Sequence, residues 1–170
     1  MNIGLITSGT INRCTLVFIK KVLEDVISNS NVEILSRVLP LPKIVKPQSQ
    51  YRSSSFLEIG QSVSNRFDKV LVLTDVDVFA PNFYFVFGEA EVGGRVASLS
   101  LFRLMSPNNA DIFLRRCAKE AVHEVGHLYG LRHCVNDGCV MRFSKSVEDV
   151  DLKNCIPCKD CIESLQKLKR

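Results

Sequence analysis

The chain lacks long apolar runs, and no stretch of its 170 residues approaches the ~20 consecutive apolar residues of a membrane-spanning helix. From its opening residues we also expect no secretion. The opening "MNIGLITSG" has no basic segment ahead of its apolar residues and no cleavage-like site after them. We therefore expect a cytoplasmic protein with no membrane partner.

A strong charge of either sign is also missing. The net charge of +4 arises from 22 Lys and Arg against 18 Asp and Glu, scattered along the chain, so we expect no nucleic-acid partner. The segment "GLITSGTINR" lacks both G-x-G-x-x-G and the G-K-[ST] ending of phosphate-binding loops, which argues against nucleotide binding. Length and an apolar content of 46% fit a single domain over residues 1–170, which we expect to be monomeric.

Cysteine is plentiful by contrast. Seven cysteines, an odd number in a chain without an export signal, argue against a disulfide framework and for metal or thiolate chemistry. Cys134 and Cys139 are spaced C-x4-C, and Cys155, Cys158 and Cys161 are spaced C-x2-C-x2-C. Two ligands from each group would make a closed four-thiolate structural zinc site, with either Cys155/Cys158 or Cys158/Cys161 as the second pair.

Strand-like and helical segments alternate through the first half of the chain. The patterns predict strand, helix, strand, helix and strand in "NIGLITSG", "INRCTLVFIKKVLEDVIS", "NVEILSRVLPL", "SSSFLEIGQSVS" and "DKVLVLTDVDVF". This order predicts a twisted sheet with crossover helices. Two further β-rich runs flank "GEAEVGG" and suggest a hairpin. We therefore expect an α+β fold whose N-terminal part is α/β-like.

All three histidines of the chain lie within "HEVGHLYGLRH", residues 123–133. The longer segment "SPNNADIFLRRCAKEAVHEVGHLYG" has cap-like residues at its start and a glycine at its end, which predicts a helix. At ~100° per residue, His127 lies about 40° from His123, opposite an apolar face. Both imidazoles can therefore reach one metal ion.

His133 can join this pair only if the helix ends first, and Gly130 can adopt the left-handed conformation that such an ending needs. Three imidazoles would leave a fourth zinc position open, as in catalytic sites. Glu124, about 100° from His123, flanks that position and is the candidate general base, able to pass a proton from water to the leaving amine. Ordinary core or surface histidines would not explain five residues in the H-E-x-x-H-x-x-G-x-x-H register.

The same segment carries a family resemblance. H-E-x-x-H-x-x-G-x-x-H is the long zinc signature of the metzincin metallopeptidases, and "CVMRF" places Met141 where those enzymes have a methionine in a turn beneath the metal. The form "HEVGHLYGLRHCVNDGCVM" with a later C-x-x-C closely resembles the archaemetzincin family. So do "TDVDVFAPNFYFVFGEAEVGGRVASLSLFRL" and "FSKSVEDVD". The resemblance runs well from about residue 70 to residue 161 and more loosely upstream.

The resemblance implies that the three histidines bind a catalytic zinc, with Glu124 as general base and Met141 in the Met-turn. It implies a structural zinc whose four thiolate ligands are Cys134, Cys139, Cys158 and Cys161, because the family spacing favours the later C-x-x-C pair. Position 143, two after the methionine, is Phe143, so the tyrosine ligand of some metzincins is absent here.

The fold that the resemblance implies is a mixed sheet with an active-site helix. Its edge strand would be "GRVASLSLF", lining the cleft and free to pair with an extended peptide. The single catalytic domain would divide into an N-terminal subdomain, residues 1–130, and a C-terminal subdomain, residues 131–170. The second would hold the Met-turn and the four-cysteine zinc site.

We therefore expect a zinc metallopeptidase that holds two zinc ions per chain and hydrolyses peptide bonds in extended peptide or protein substrates. One alternative is a zinc-binding peptide-recognition or regulatory module with little or no turnover, since a metal site does not guarantee a productive cleft. Another is a zinc hydrolase acting on a different amide. An intact Glu124 favours the enzyme, because a purely structural site has no use for that carboxylate.

Overall fold

The computed structural model describes residues 1–44 and 49–168, which form a mixed sheet covered by helices. Its strands are β1 (Asn2–Thr7), β2 (Asn31–Ile34), β3 (Tyr51–Arg52), β4 (Lys69–Thr74), β5 (Val78–Phe79), β6 (Gly88–Ala90) and β7 (Val96–Ser100). Its helices are α1 (Arg13–Val26), α2 (Ser53–Gln61), α3 (Ala110–Leu128), α4 (Val147–Leu152) and α5 (Lys159–Leu168). In the described part of the chain, no helix combines the length and hydropathy that crossing a membrane would need.

The main sheet has five strands in the order β2-β1-β4-β7-β6. The pairings from β2 to β7 are parallel, and β6 runs antiparallel to β7. The short strands β3 and β5 pair separately. The α+β prediction with a mixed sheet is therefore confirmed. A hairpin also forms, but its first arm is β6, which lies inside the segment "GEAEVGG" predicted to connect the arms.

The edge strand differs from the prediction. The segment "GRVASLSLF" contains β7, which lies between β4 and β6, so the edge of the sheet is β6. Every residue of β7 is buried, whereas the three residues of β6 are only half-buried. The longer, more apolar arm of the hairpin occupies the interior position because there it buries both faces. The polar arm, which begins at Gly88, is left at the margin.

Alternating side chains divide the core between the two faces of the sheet. Leu71 and Leu73 of β4 pack with residues of α1 and α3, while Val70 and Val72 pack with Phe56 of α2. This alternation follows from the two-residue repeat of a strand. Helices thus cover both faces of the sheet, and α3 packs against one face beside the edge strand β6.

The ends of α3 follow the sequence prediction. The Asn109 side chain accepts a hydrogen bond from the Ile112 backbone N–H at its start. At its end, Gly130 has a φ of 92°, and the Leu131 N–H donates to the Gly126 carbonyl. This left-handed turn releases the chain from the helix axis, as the position of Gly130 predicted.

Candidate active site and cysteine cluster

Helix α3 presents His123 and His127 one turn apart, and the turn at Gly130 brings His133 back to them. The Nε2 atoms of the first two rings lie 3.1 Å apart. The His133 ring centroid is 5.3 Å from that of His123 and 4.9 Å from that of His127. One nitrogen from each ring lies within 4.8 Å of the others. The structure thus brings all three predicted histidines together.

Hydrogen bonds at the Nδ1 atoms of His123 and His127 define which nitrogen of each ring carries the proton. His123 Nδ1 is 2.8 Å from the Val140 carbonyl and His127 Nδ1 is 2.7 Å from the Leu131 carbonyl. A carbonyl can only accept, so each Nδ1 carries the proton and each Nε2 is left with a lone pair. Backbone carbonyls orient metal-bound histidines in this way.

The electrostatics of the site favour neutral rings. Burial lowers the pKa of His123 well below its ordinary value, with the nearby charge of Lys153 acting in the same direction. Burial also lowers the pKa of His127 and of His133. Neutral imidazole is the form that binds metal. Two facing lone pairs at 3.1 Å repel each other without a cation, and tetrahedral zinc with Zn–N bonds of ~2.05 Å needs nitrogens roughly 3.3 Å apart. The donor set fits zinc.

Glu124 lies beside the histidines with 4% of its surface exposed. Burial raises its pKa well above the ordinary value, and the charges of Glu120 and Glu89 add to this effect. With the three rings it lines a cavity of about 510 Å³ that also borders β6. A carboxylate here can accept a proton from a molecule held in the cavity.

Two glycines that the sequence analysis did not single out shape this site. A Cβ on Gly88 of β6 would lie 2.5 Å from Glu124 Oε1, so only glycine lets the edge strand approach the carboxylate this closely. A Cβ on Gly126 would lie 2.5 Å from the sulfur of the buried Met141. A glycine inside a helical pattern usually marks such a close approach, and that signal was available at Gly126.

Phe143, at the position where some metzincins have tyrosine, packs over the histidine site. Its ring centroid is 5.0 Å from that of His133 and 6.4 Å from that of Phe83, which precedes β6. Phe143 offers no oxygen toward the cavity. It supplies an apolar rim beside His133, which is the most exposed of the three histidines.

Four of the five C-terminal cysteines form a second cluster. The sulfurs of Cys134, Cys139, Cys158 and Cys161 all lie within 4.8 Å of one another, and Cys155 is not part of this group. The pair Cys134–Cys158 is 3.8 Å apart and the pair Cys139–Cys161 is 3.7 Å apart. A tetrahedral zinc with Zn–S bonds of ~2.3 Å requires about 3.8 Å between sulfurs. The Cys158 backbone N–H also donates to Cys139 Sγ, as is usual around metal-bound thiolates.

Comparison with known proteins places this geometry in context. The model of Peptidase family M54 matches residues 43–167. The archaemetzincin of Methanocaldococcus jannaschii is 41% identical over 172 residues, covering 98% of this chain and 93% of the relative. That of Methanopyrus kandleri is 41% identical over 133 residues, covering 78% and 75%. A crystal structure of the M. kandleri archaemetzincin superimposes with a TM-score of 0.92 at 34% identity, covering 100% of this chain and 96% of that one. A crystal structure of the Archaeoglobus fulgidus archaemetzincin, complexed with malonate, superimposes with a TM-score of 0.83 at 36% identity, covering 96% and 99%.

Proposed function

This chain belongs to peptidase family M54 and is a zinc-dependent metallopeptidase, and on that premise we propose that His123, His127 and His133 bind its catalytic zinc. Glu124 acts as the general base. The observation that carries this assignment is the convergence of three imidazole nitrogens within 4.8 Å of one another, beside a buried carboxylate in one cavity. The archaemetzincin resemblance and the zinc requirement predicted from the sequence are confirmed by the family match.

Each residue of the site has a distinct task in peptide hydrolysis. Zinc, when bound, supplies Lewis acidity that lowers the pKa of water toward ~7 and stabilises an oxyanion. The carbonyls of Val140 and Leu131 hold His123 and His127 in the tautomer that leaves Nε2 free. Glu124, held by β6 on one side, accepts a proton from the attacking water and delivers it to the leaving amine. Phe143 forms an apolar rim beside His133.

Peptides or proteins are the substrates of this family, and we propose that they bind in an extended conformation along β6. The strand is the free edge of the main sheet, and Gly88, Glu89 and Ala90 all line the cavity that holds the histidines. A peptide that paired with this edge would bring one of its amide carbonyls past Glu124. Because the edge strand is β6 and not β7, the proposed substrate path runs along the cavity itself.

The cysteine cluster serves as a closed structural zinc site in this proposal. Cys134, Cys139, Cys158 and Cys161 provide four thiolates and leave no position for water or substrate. Zinc bound by them would stabilise the predicted C-terminal subdomain, residues 131–170, beside the N-terminal subdomain, residues 1–130. The family match favours this enzyme over a recognition module without turnover.

The cytoplasmic location and the monomeric state predicted from the sequence also remain proposals. All seven cysteines are free thiols, which fits a reducing compartment. Size-exclusion chromatography with light scattering would measure the oligomeric state directly.

Metal analysis combined with a peptide-library digest tests the assignment. We expect about two zinc ions per chain in the wild type and in Glu124→Gln, with cleavage in that variant reduced at least ~10²-fold, because a positioned base contributes that much. Glu58→Gln, an exposed carboxylate on α2, is the matched control and should keep full activity. Full cleavage by Glu124→Gln, or two zinc ions in His123→Ala/His127→Ala, would overturn the assignment.

A further inference from the structure

We propose that Lys153 and Glu120 form a buried positioning pair that fixes the turn at residues 140–142 and thereby orients His123 toward the metal. The Lys153 side chain is 0% exposed and that of Glu120 is 3% exposed, with Nζ and Oε1 2.7 Å apart. Lys153 Nζ also donates to the Arg142 carbonyl at 3.2 Å. This inference rests on the proposed assignment of the histidines as zinc ligands.

Three consecutive carbonyls of the turn explain how Lys153 can reach the histidines. The Val140 carbonyl accepts from His123 Nδ1 at 2.8 Å. The Met141 carbonyl accepts from the backbone N–H of Cys134, which follows His133, at 3.0 Å. The Arg142 carbonyl accepts from Lys153. The first of these carbonyls therefore orients His123, the second holds the backbone just after His133, and the third is bound by Lys153.

Glu120 ties this arrangement to the active-site helix. On α3 it lies three residues before His123 and four before Glu124, so these side chains share one helical stripe facing the cavity. The Lys153–Glu120 contact therefore sets the distance between that stripe and the turn. A movement of the turn would shift the Val140 carbonyl and rotate the His123 ring with it.

Stability alone does not explain the pair. Removing two charges from water costs several kcal/mol per ion, and well-packed apolar residues are often at least as stabilising as a buried ion pair. The docking of α4 on α3 is already provided by Arg116, whose guanidinium bonds Asp151 at 2.6 and 2.8 Å. Lys119 adds bonds to the Val150 and Asp151 carbonyls, both 2.9 Å. What Lys153 contributes beyond these contacts is its bond to the Arg142 carbonyl.

The test replaces the pair with neutral residues of similar size and measures metal binding separately from stability. Lys153→Met alone leaves Glu120 buried without a partner and should lower the melting temperature strongly. Adding Glu120→Gln should recover most of that loss. Cobalt loading then reports each site. Thiolate-to-cobalt absorption marks the cysteine cluster, and when that cluster is kept filled with zinc the d–d bands come from cobalt at the histidines alone.

In the double variant we expect metal affinity at the histidines to fall about 10–100-fold, as is usual when an outer partner of a metal ligand is lost. The cysteine cluster should keep its affinity, and kcat should fall while KM changes less than about twofold, because the reacting groups are displaced and the substrate track along β6 is not. Since the double variant carries no unpaired buried charge, it serves as the test even if Lys153→Met does not fold.

Arg116→Met/Asp151→Asn is the matched control because this pair joins α3 to α4, which ends one residue before Lys153, without contacting the turn. It should lower stability and leave metal affinity at the histidines unchanged. Wild-type affinity in the Lys153→Met/Glu120→Gln variant, or an equal loss of affinity in the control, would overturn the positioning role. Absence of histidine-bound cobalt in the wild type would instead overturn the proposed function on which this role rests.

Discussion

At the scale of single residues, the close approach of Gly88 to Glu124 is the contact on which the proposed base depends most directly. A Cβ at this position would lie 2.5 Å from Glu124 Oε1 and 2.6 Å from the Ser98 carbonyl. The backbone on one side of the new methyl group cannot yield easily, so the carboxylate must move. The sequence offers no local hint of this constraint, because Gly88 begins "GEAEVGG", the segment predicted to connect the two arms of a hairpin.

Gly88→Ala is therefore expected to reduce kcat about 10²-fold, the cost of misplacing a reacting group by about 1 Å. Zinc content should stay at the wild-type value, because the nearest neighbours of the new methyl group are Glu124 and Ser98, neither of which is a proposed metal ligand. Steady-state kinetics on folded, zinc-loaded protein measures the effect.

Gly60→Ala is the control for overpacking alone. Its Cβ would lie 2.4 Å from Val96 Cγ1, on the face of the sheet that α2 covers. We expect a loss of about 1–3 kcal/mol in unfolding free energy with kcat retained. A Gly88→Ala enzyme with unchanged kcat would show that Glu124 does not need its present position.

At the scale of elements, α3 was predictable from the sequence and the sheet edge was not. The caps, the apolar face and the spacing of His123 and His127 are all local patterns, and Gly130 marks the helix end. Which arm of a hairpin becomes the edge depends on the strand that the other arm meets, here β4, which is distant in sequence. Lys153 was missed for a similar reason: a lysine in "DLKNC" is expected to be exposed, and only the fold brings it against Glu120.

The contact between α3 and α4 gives a prediction about pH. Hydrogen bonds from Arg116 lower the pKa of Asp151. A carboxylate with a lowered folded-state pKa binds fewer protons than in the unfolded chain, so its contribution is present above the unfolded pKa of about 3.9 and is lost as pH falls through the folded value.

Asp151→Asn should therefore lower the melting temperature at pH 6 and have a shrinking effect below about pH 4. Because the Asp151 side chain is 44% exposed, solvent screening limits the expected loss to about 0.2–1 kcal/mol, a few degrees at most. Thermal melts of both proteins between pH 3 and 6 measure it. A difference in melting temperature between the two proteins that grows as the pH falls would contradict this prediction.

The segment from Cys134 to Met141 connects the histidine site with the cysteine cluster. Cys134 follows His133 directly, its N–H donates to the Met141 carbonyl, and Cys139 precedes the Val140 carbonyl that orients His123. A zinc staple on these cysteines would order the segment, because metal binding by four thiolates contributes about 10 kcal/mol to folding in small zinc peptides.

Cys139→Ser/Cys158→Ser is expected to remove one zinc ion and to weaken zinc binding at the histidines by at least about tenfold. Competition with a chromophoric chelator gives both affinities. Cys155→Ser, at the thiol outside the cluster, is the control and should leave both sites intact. Wild-type zinc affinity at the histidines in the double serine variant would show that the two sites bind zinc independently.

At the scale of the whole molecule, the fold lines one cavity both with the edge strand β6 and with residues of the C-terminal part. The edge strand β6 contributes Gly88 and Glu89, while the C-terminal part contributes His133 and Phe143. In the proposed binding mode, a substrate passes between them. Pairing with an antiparallel or parallel edge uses the backbone groups of alternate substrate residues, since successive residues of a strand point their N–H groups to opposite sides.

Backbone N-methylation of a good peptide substrate tests this track, with one amide methylated at a time. Methylation at alternate positions should reduce kcat/KM about 2–10-fold, because each removes a hydrogen bond worth about 0.5–1.5 kcal/mol. The intervening positions, whose N–H groups point away from β6, are the internal control and should keep most of the activity. The periodicity therefore distinguishes strand pairing from general steric hindrance. Equal losses at every position, or losses confined to the two residues flanking the cleaved bond, would mean that the substrate does not extend along β6.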